Sequence, residues 1–75
     1  MPRLPRVTAE ELLHALRRDG WYEVSQRGSH VHLQHPSKQG TVTVPKHAGA
    51  TIKFKALITV LDQAGLSLDE LRRLL

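Results

Sequence analysis

The sequence predicts an α+β fold in the order α-β-β-β-α-α: a three-stranded antiparallel sheet with helices packed on one face. Three observations carry this. Capping boxes mark helix starts near both ends of the chain, Thr8 with Glu11 and Ser67 with Glu70. Between them the helical period gives way to alternation, cleanest in His30-Val31-His32-Leu33-Gln34-His35. The pieces joining the alternating segments, Gly28-Ser29 and residues 36–40, are short and built of turn-forming residues, so a meander is the economical topology.

The elements follow in order. Residues 1–6, with two prolines and two arginines, read as an extended arm. A helix then starts at Thr8, with Val7 and Leu12 as a hydrophobic staple and Leu12, Leu13 and Leu16 as the apolar stripe. Arg17 and Arg18 suit its negative end and Gly20 the position beyond it, while His14 reads as a solvated surface residue. Three strands are expected at 21–27, 30–35 and 41–44. Val31 and Leu33 face one side of the second and His30, His32 and Gln34 the other; Val42 and Val44 oppose Thr41 and Thr43 in the third. Trp21 and Tyr22 are the aromatic candidates for a stacking surface, although Trp21, beside Gly20, reads better as core. A second helix is expected over 52–64, with Phe54, Leu57, Ile58 and Leu61 on its stripe and Gly65 at its end. In the last helix Leu66 and Leu71 form the staple, followed by Leu74 and Leu75.

A chain of 75 residues is read as one domain, 1–75. Such a domain buries roughly 60% of the surface its unfolded chain exposes, so function is expected on an open face or shallow groove. Lysine and arginine number 11 against 7 aspartates and glutamates, a net charge of +4, which favours a polyanionic partner such as nucleic acid. The absence of cysteine rules out disulfides and thiolate metal sites and fits a reducing cytoplasm. No apolar run is long enough to cross a membrane, and the first residues lack the apolar stretch of a secretion signal. A cytoplasmic protein without membrane contact or small-molecule cofactor is therefore expected.

The chemistry-bearing residues centre on Gly28-Ser29-His30. Glycine lets backbone N–H groups approach an anion, serine adds a hydroxyl donor, and His30 follows on the strand face opposite Val31 and Leu33. An imidazole beside phosphate-binding donors is the minimum equipment for cutting RNA, which carries its own 2′-hydroxyl nucleophile. On spacing alone the tripeptide also reads as an ordinary hairpin turn before a half-exposed strand residue. Arg27, Lys46 and His47, with Lys53 and Lys55 at the second long helix, are placed to hold flanking phosphates, whereas Lys38 reads as a solvated lysine. His30-X-His32, with His35 and His47 near in sequence, invites comparison with a metal site. No carboxylate lies between Glu23 and Asp62, however, and no metal is expected.

Taken in order, these residues resemble the HicA family of bacterial and archaeal toxin–antitoxin systems over residues 7–71. The resemblance rests on a first helix ending in Asp19-Gly20-Trp21, on Arg27-Gly28-Ser29-His30 and its alternating strand, on Val42-Thr43-Val44-Pro45-Lys46-His47, and on Leu57-Ile58-X-X-Leu61 with Gln63-Ala64-Gly65-Leu66-Ser67. It implies a fold like that of double-stranded-RNA-binding domains. It also implies an mRNA interferase that arrests translation, with His30 catalytic, Gly28 and Ser29 as the preceding motif, and a HicB-like antitoxin as partner. Where the family commonly has Gly-Thr-Leu at the start of its second long helix, this chain has Lys55-Ala56-Leu57. A non-catalytic RNA-binding module of the same fold, or a module binding an acidic protein, would share the composition but would not need His30.

Overall fold

The computed structural model describes residues 6–47 and 50–75; residues 1–5 of the expected arm lie outside the described residues, and Arg6 is exposed. The elements are α1 (Ala9–Arg18), β1 (Tyr22–Arg27), β2 (His30–Gln34), β3 (Val42–Pro45), α2 (Phe54–Ala64) and α3 (Leu68–Leu74). The strands form one antiparallel sheet in the order β1-β2-β3. This is the expected α-β-β-β-α-α arrangement, with each strand boundary moved by one residue at one end or both.

Both capping boxes form. The Thr8 side chain accepts from the Glu11 N–H, and the Glu11 carboxylate accepts from the Thr8 N–H at 3.0 Å. Ser67 and Glu70 reproduce this exchange at α3. Caps of this kind contribute about 1 kcal/mol each. α2 differs: Lys53 at its N-cap makes no side-chain cap bond, and its first turn holds no carboxylate.

One apolar cluster joins the layers. Leu12, Leu13 and Leu16 of α1 share it with Val31 and Leu33 of β2, Val42 and Val44 of β3, and Leu57, Val60 and Leu61 of α2, together with Trp21 and Leu71. All are at most 3% exposed, and full burial of such side chains stabilises by roughly 1.5–3 kcal/mol each. The expected stripe of α2 needs correction. Leu57 and Leu61 are buried, but Phe54 and Ile58 are exposed, and Val60 and Ala64 take their place in the core. α2 carries apolar residues on more than one face, and its packing against β3 selects the face that turns inward. Leu75 is likewise exposed.

The helices leave the outer strand uncovered: every residue of β1 is exposed. Its ladder with β2 is interrupted between Glu23 and Ser25, where Glu23 faces Leu33 but Ser25 faces the adjacent His32. Two residues of β1 thus span one step of β2, a bulge that leaves Val24 without a cross-strand partner.

Candidate functional site

The open face of the sheet is built in rows, because cross-strand partners share a face. Arg27, His30 and Pro45 form one row; Ser25, His32 and Thr43 the next; Tyr22 and Gln34 the third. Strict alternation from Arg27 would put Tyr22 on the opposite face, and the bulge at Val24 brings it round to this one. The sequence gives no signal for that insertion. Of the two aromatic residues proposed for stacking, Trp21 is buried and Tyr22 is about half exposed, at 49%.

Gly28 and Ser29 connect β1 to β2 as a two-residue hairpin turn between the paired Arg27 and His30. Gly28 has φ +54°, the left-handed value that primed hairpin turns require and glycine supplies without strain. The Gln26 side chain donates to the Gly28 carbonyl at 3.1 Å and steadies the turn. An added Cβ at Gly28 would meet nothing within 4 Å, so the space above the turn is open. Ser29 is half-buried, and its carbonyl accepts from the Lys46 N–H, drawing the residue after β3 against the turn.

The segment leading away from β3 is tied down as well. Ala50 N–H donates to the His47 carbonyl at 3.1 Å, and Ile52 N–H donates to the Val7 carbonyl at 2.7 Å, beside a bridge between Thr8 and Thr51. A groove of about 330 Å³ opens here, lined by Pro45, His47, Ala50, Thr51, Ile52, Lys53 and Ala56. His30 is not part of its lining; it stands across Pro45, on the open face. Lys55 and Ala56, in place of the Gly-Thr common in the family, belong to the first turn of α2, and Ala56 floors the groove.

The structure therefore gathers Arg27, Gly28, Ser29, His30, Lys46 and His47 at one end of the sheet. Arg27, His30, Lys46 and His47 are exposed, and none has a side-chain hydrogen bond or ion pair among the described residues. The acidic residues sit elsewhere: Glu10 and Glu11 in α1, Asp19 at its end, Glu23 at the far end of β1, Asp62 late in α2, Asp69 and Glu70 in α3. Asp19, Glu23 and Asp69 are each engaged by a cation. Lys38 does not behave as the solvated lysine expected. Its Nζ lies 2.6 Å from Asp19 Oδ2 and donates to the Ala64 carbonyl at 3.0 Å, which holds it away from the turn. Among the described residues no three His, Asp or Glu side chains converge as a metal site, and no helix is long and apolar enough to cross a membrane.

Residues 9–66 match the family model described as the HicA toxin of bacterial toxin–antitoxin systems. The chain belongs to the HicA toxin family. The match lies within the 7–71 span of the resemblance read from the sequence and takes in every residue gathered at the Gly28-Ser29 turn. It assigns the protein to the toxin side of a toxin–antitoxin pair, with a cognate antitoxin as its partner. No curated protein matches the chain.

Proposed function

We propose that this HicA-family chain is an endoribonuclease, an mRNA interferase that arrests translation, with His30 as general acid/base. The observation that carries the reading is the placement of His30. It is an exposed imidazole, without a partner among the described residues, directly after the Gly28-Ser29 turn and in one row with Arg27. RNA supplies its own nucleophile, so the protein needs to move protons and to stabilise charge on phosphorus. Backbone N–H groups around Gly28 and the Ser29 hydroxyl hold the scissile phosphate in this reading. Arg27, Lys46 and His47 hold the phosphates on either side, which sets the register of the strand. The natural compartment for such an activity is the cytoplasm. A HicB-like antitoxin would silence it by covering this same face.

The test is cleavage of a purified RNA by the wild-type protein and by His30→Ala. Wild type is expected to cut, and the variant to be slower by about 100-fold or more, the lower bound usual for loss of acid–base catalysis. RNA affinity should persist in the variant and fall linearly in log Kd against log salt, as phosphate contacts dictate. Equal cleavage by the two proteins would remove His30 from the chemistry. Binding without cleavage by either would leave an RNA-binding module, and negligible affinity at moderate salt would leave a protein-interaction module.

A further inference from the structure

We infer that His32 is the second proton-transfer group of this site, the acid that protonates the departing 5′-oxygen. The inference rests on the ribonuclease reading above and adds a residue and a role to it.

Cleavage by a neighbouring 2′-hydroxyl moves two protons. One leaves the 2′-oxygen as its bond to phosphorus forms, and one must reach the 5′-oxygen as its bond to phosphorus breaks. The entering and leaving oxygens lie on opposite sides of phosphorus, so two groups flanking it serve better than one. His30 and His32 project from the same face of β2, two residues apart, or about 7 Å along a strand. The other described histidines are placed differently. His14 is in α1, His47 is across Pro45 in the groove, and both ring nitrogens of His35 are engaged.

The surroundings of His32 suit a donor. Its Nδ1 lies 3.0 Å from Thr43 Oγ1, its cross-strand neighbour, and the ring is half-buried. In the imidazolium, Nδ1–H donates to the threonine hydroxyl, so the proton left free to move is the one on Nε2. Nε2 has no partner among the described residues. Thr43 is itself held, because its N–H donates to Gln63 Oε1 on α2 at 3.1 Å. Thr43 is thus a positioning residue for His32. In the complete step His30 takes the 2′-hydroxyl proton, the 2′-oxygen–phosphorus bond forms, and the phosphorus–5′-oxygen bond breaks. His32 gives its Nε2 proton to the 5′-oxygen. The products are a 2′,3′-cyclic phosphate and a free 5′-hydroxyl, and water resets both rings.

A change of leaving group tests this directly. Two RNA oligonucleotides are compared, one natural and one with sulfur replacing the 5′-oxygen at the scissile bond, since a thiolate departs without a proton. His32→Gln is expected to cut the natural RNA about 100-fold more slowly than wild type, but the sulfur-bridged RNA within about tenfold of it. His30→Gln should be slow on both. The wild-type pH–rate profile on natural RNA should show two limbs, and His32→Gln should lose the one that falls at high pH. Thr43→Val, which keeps both rings, should lower the rate and retain both limbs, a readout that holds even if His32→Gln unfolds. Equal rates for His32→Gln and wild type on natural RNA would overturn the inference while leaving His30 and the ribonuclease reading in place. Equal slowing on both RNAs would also overturn it, by showing a structural role. If wild type cuts neither RNA, the ribonuclease reading itself fails.

Discussion

His30 and His35 lie five positions apart in the chain and are used in opposite ways. The His35 ring is fully committed. Its Nδ1 accepts from the backbone N–H groups of Ser37 and Lys38, both at 3.1 Å, and its Nε2 lies 2.7 Å from the Asp19 carbonyl. With two backbone donors on Nδ1, the proton must sit on Nε2 and be donated to Asp19, which fixes a single neutral tautomer. The ring stands edge-on to Trp21, centroids 5.2 Å apart, and the Trp21 indole N–H donates to the Asp19 carboxylate at 3.2 Å. Lys38 joins that carboxylate to the last turn of α2. The end of α1, the end of β2 and the end of α2 are thus tied in one knot. His30, at the other end of β2, has none of this. What separates the two rings is whether their nitrogens are already taken: His35 has none left for a ligand, and His30 keeps both free among the described residues.

The contrast is broken most directly by exchanging readouts between the two residues. His35→Ala leaves one carbonyl and two N–H groups without their partner and opens space beside Trp21. It should cost about 2–3 kcal/mol, or roughly 10–20 °C in Tm for a domain of this size. His30→Ala removes an exposed side chain that has no hydrogen bond or ion pair among the described residues and should stay within about 0.5 kcal/mol of wild type. Urea denaturation of the two variants checks both values. Comparable destabilisation by the two substitutions would show that the two ends of β2 are not specialised in this way.

A smaller effect sharpens the same picture. Gly20 has φ +107°, and a Cβ there would sit 2.7 Å from His35 Nε2. Gly20→Ala should therefore cost about 1–2 kcal/mol, through the strained backbone and the crowded ring together. In a His35→Ala background the steric part disappears, so the double variant should be less destabilised than the sum of the singles. Strict additivity in denaturation experiments would mean that the ring and the glycine do not press on each other.

These two regions also differ in how far they could be read from the sequence. The His30 site is local. Its turn, its alternating strand and the Pro45-X-His47 element each lie within a few residues, and the short connections bring them together. The capping boxes were legible for the same reason. The knot was not, because Asp19, Trp21, His35, Lys38 and Ala64 come from three separate segments and no local pattern pairs one with another. Lys38 looked solvated because nothing nearby in sequence is acidic; its partner is Asp19, nineteen residues away. The face of α2 was misread where Phe54 and Ile58 compete with Val60 and Ala64, a choice made by β3 and not by the helix. Tyr22 reached the open face through the Val24 bulge, which reverses the facing of every residue before it.

The smallest expected effect probes the rim of the knot. The Glu70 carboxyl is held below its ordinary value of 4.5, first by the Ser67 backbone N–H, then by the Ser67 side chain, with a further contribution from the Lys38 charge. A carboxylate whose value is depressed in the folded state adds stability above its unfolded value, and this is lost as pH falls through the folded one. α3 should accordingly loosen as pH drops below about 4.5, toward the lowered value of Glu70. In Glu70→Gln the amide oxygen can still accept from Ser67, but this part of the acid dependence should vanish. Lys38→Met should act more gently, moving Glu70 upward toward its ordinary value because the cation is gone while the Ser67 contacts stay. Denaturation as a function of pH checks the first outcome, and titration of the Glu70 carboxyl followed by NMR checks the second. An unmoved Glu70 in Lys38→Met would confine the influence of Lys38 to Asp19 and the end of α2.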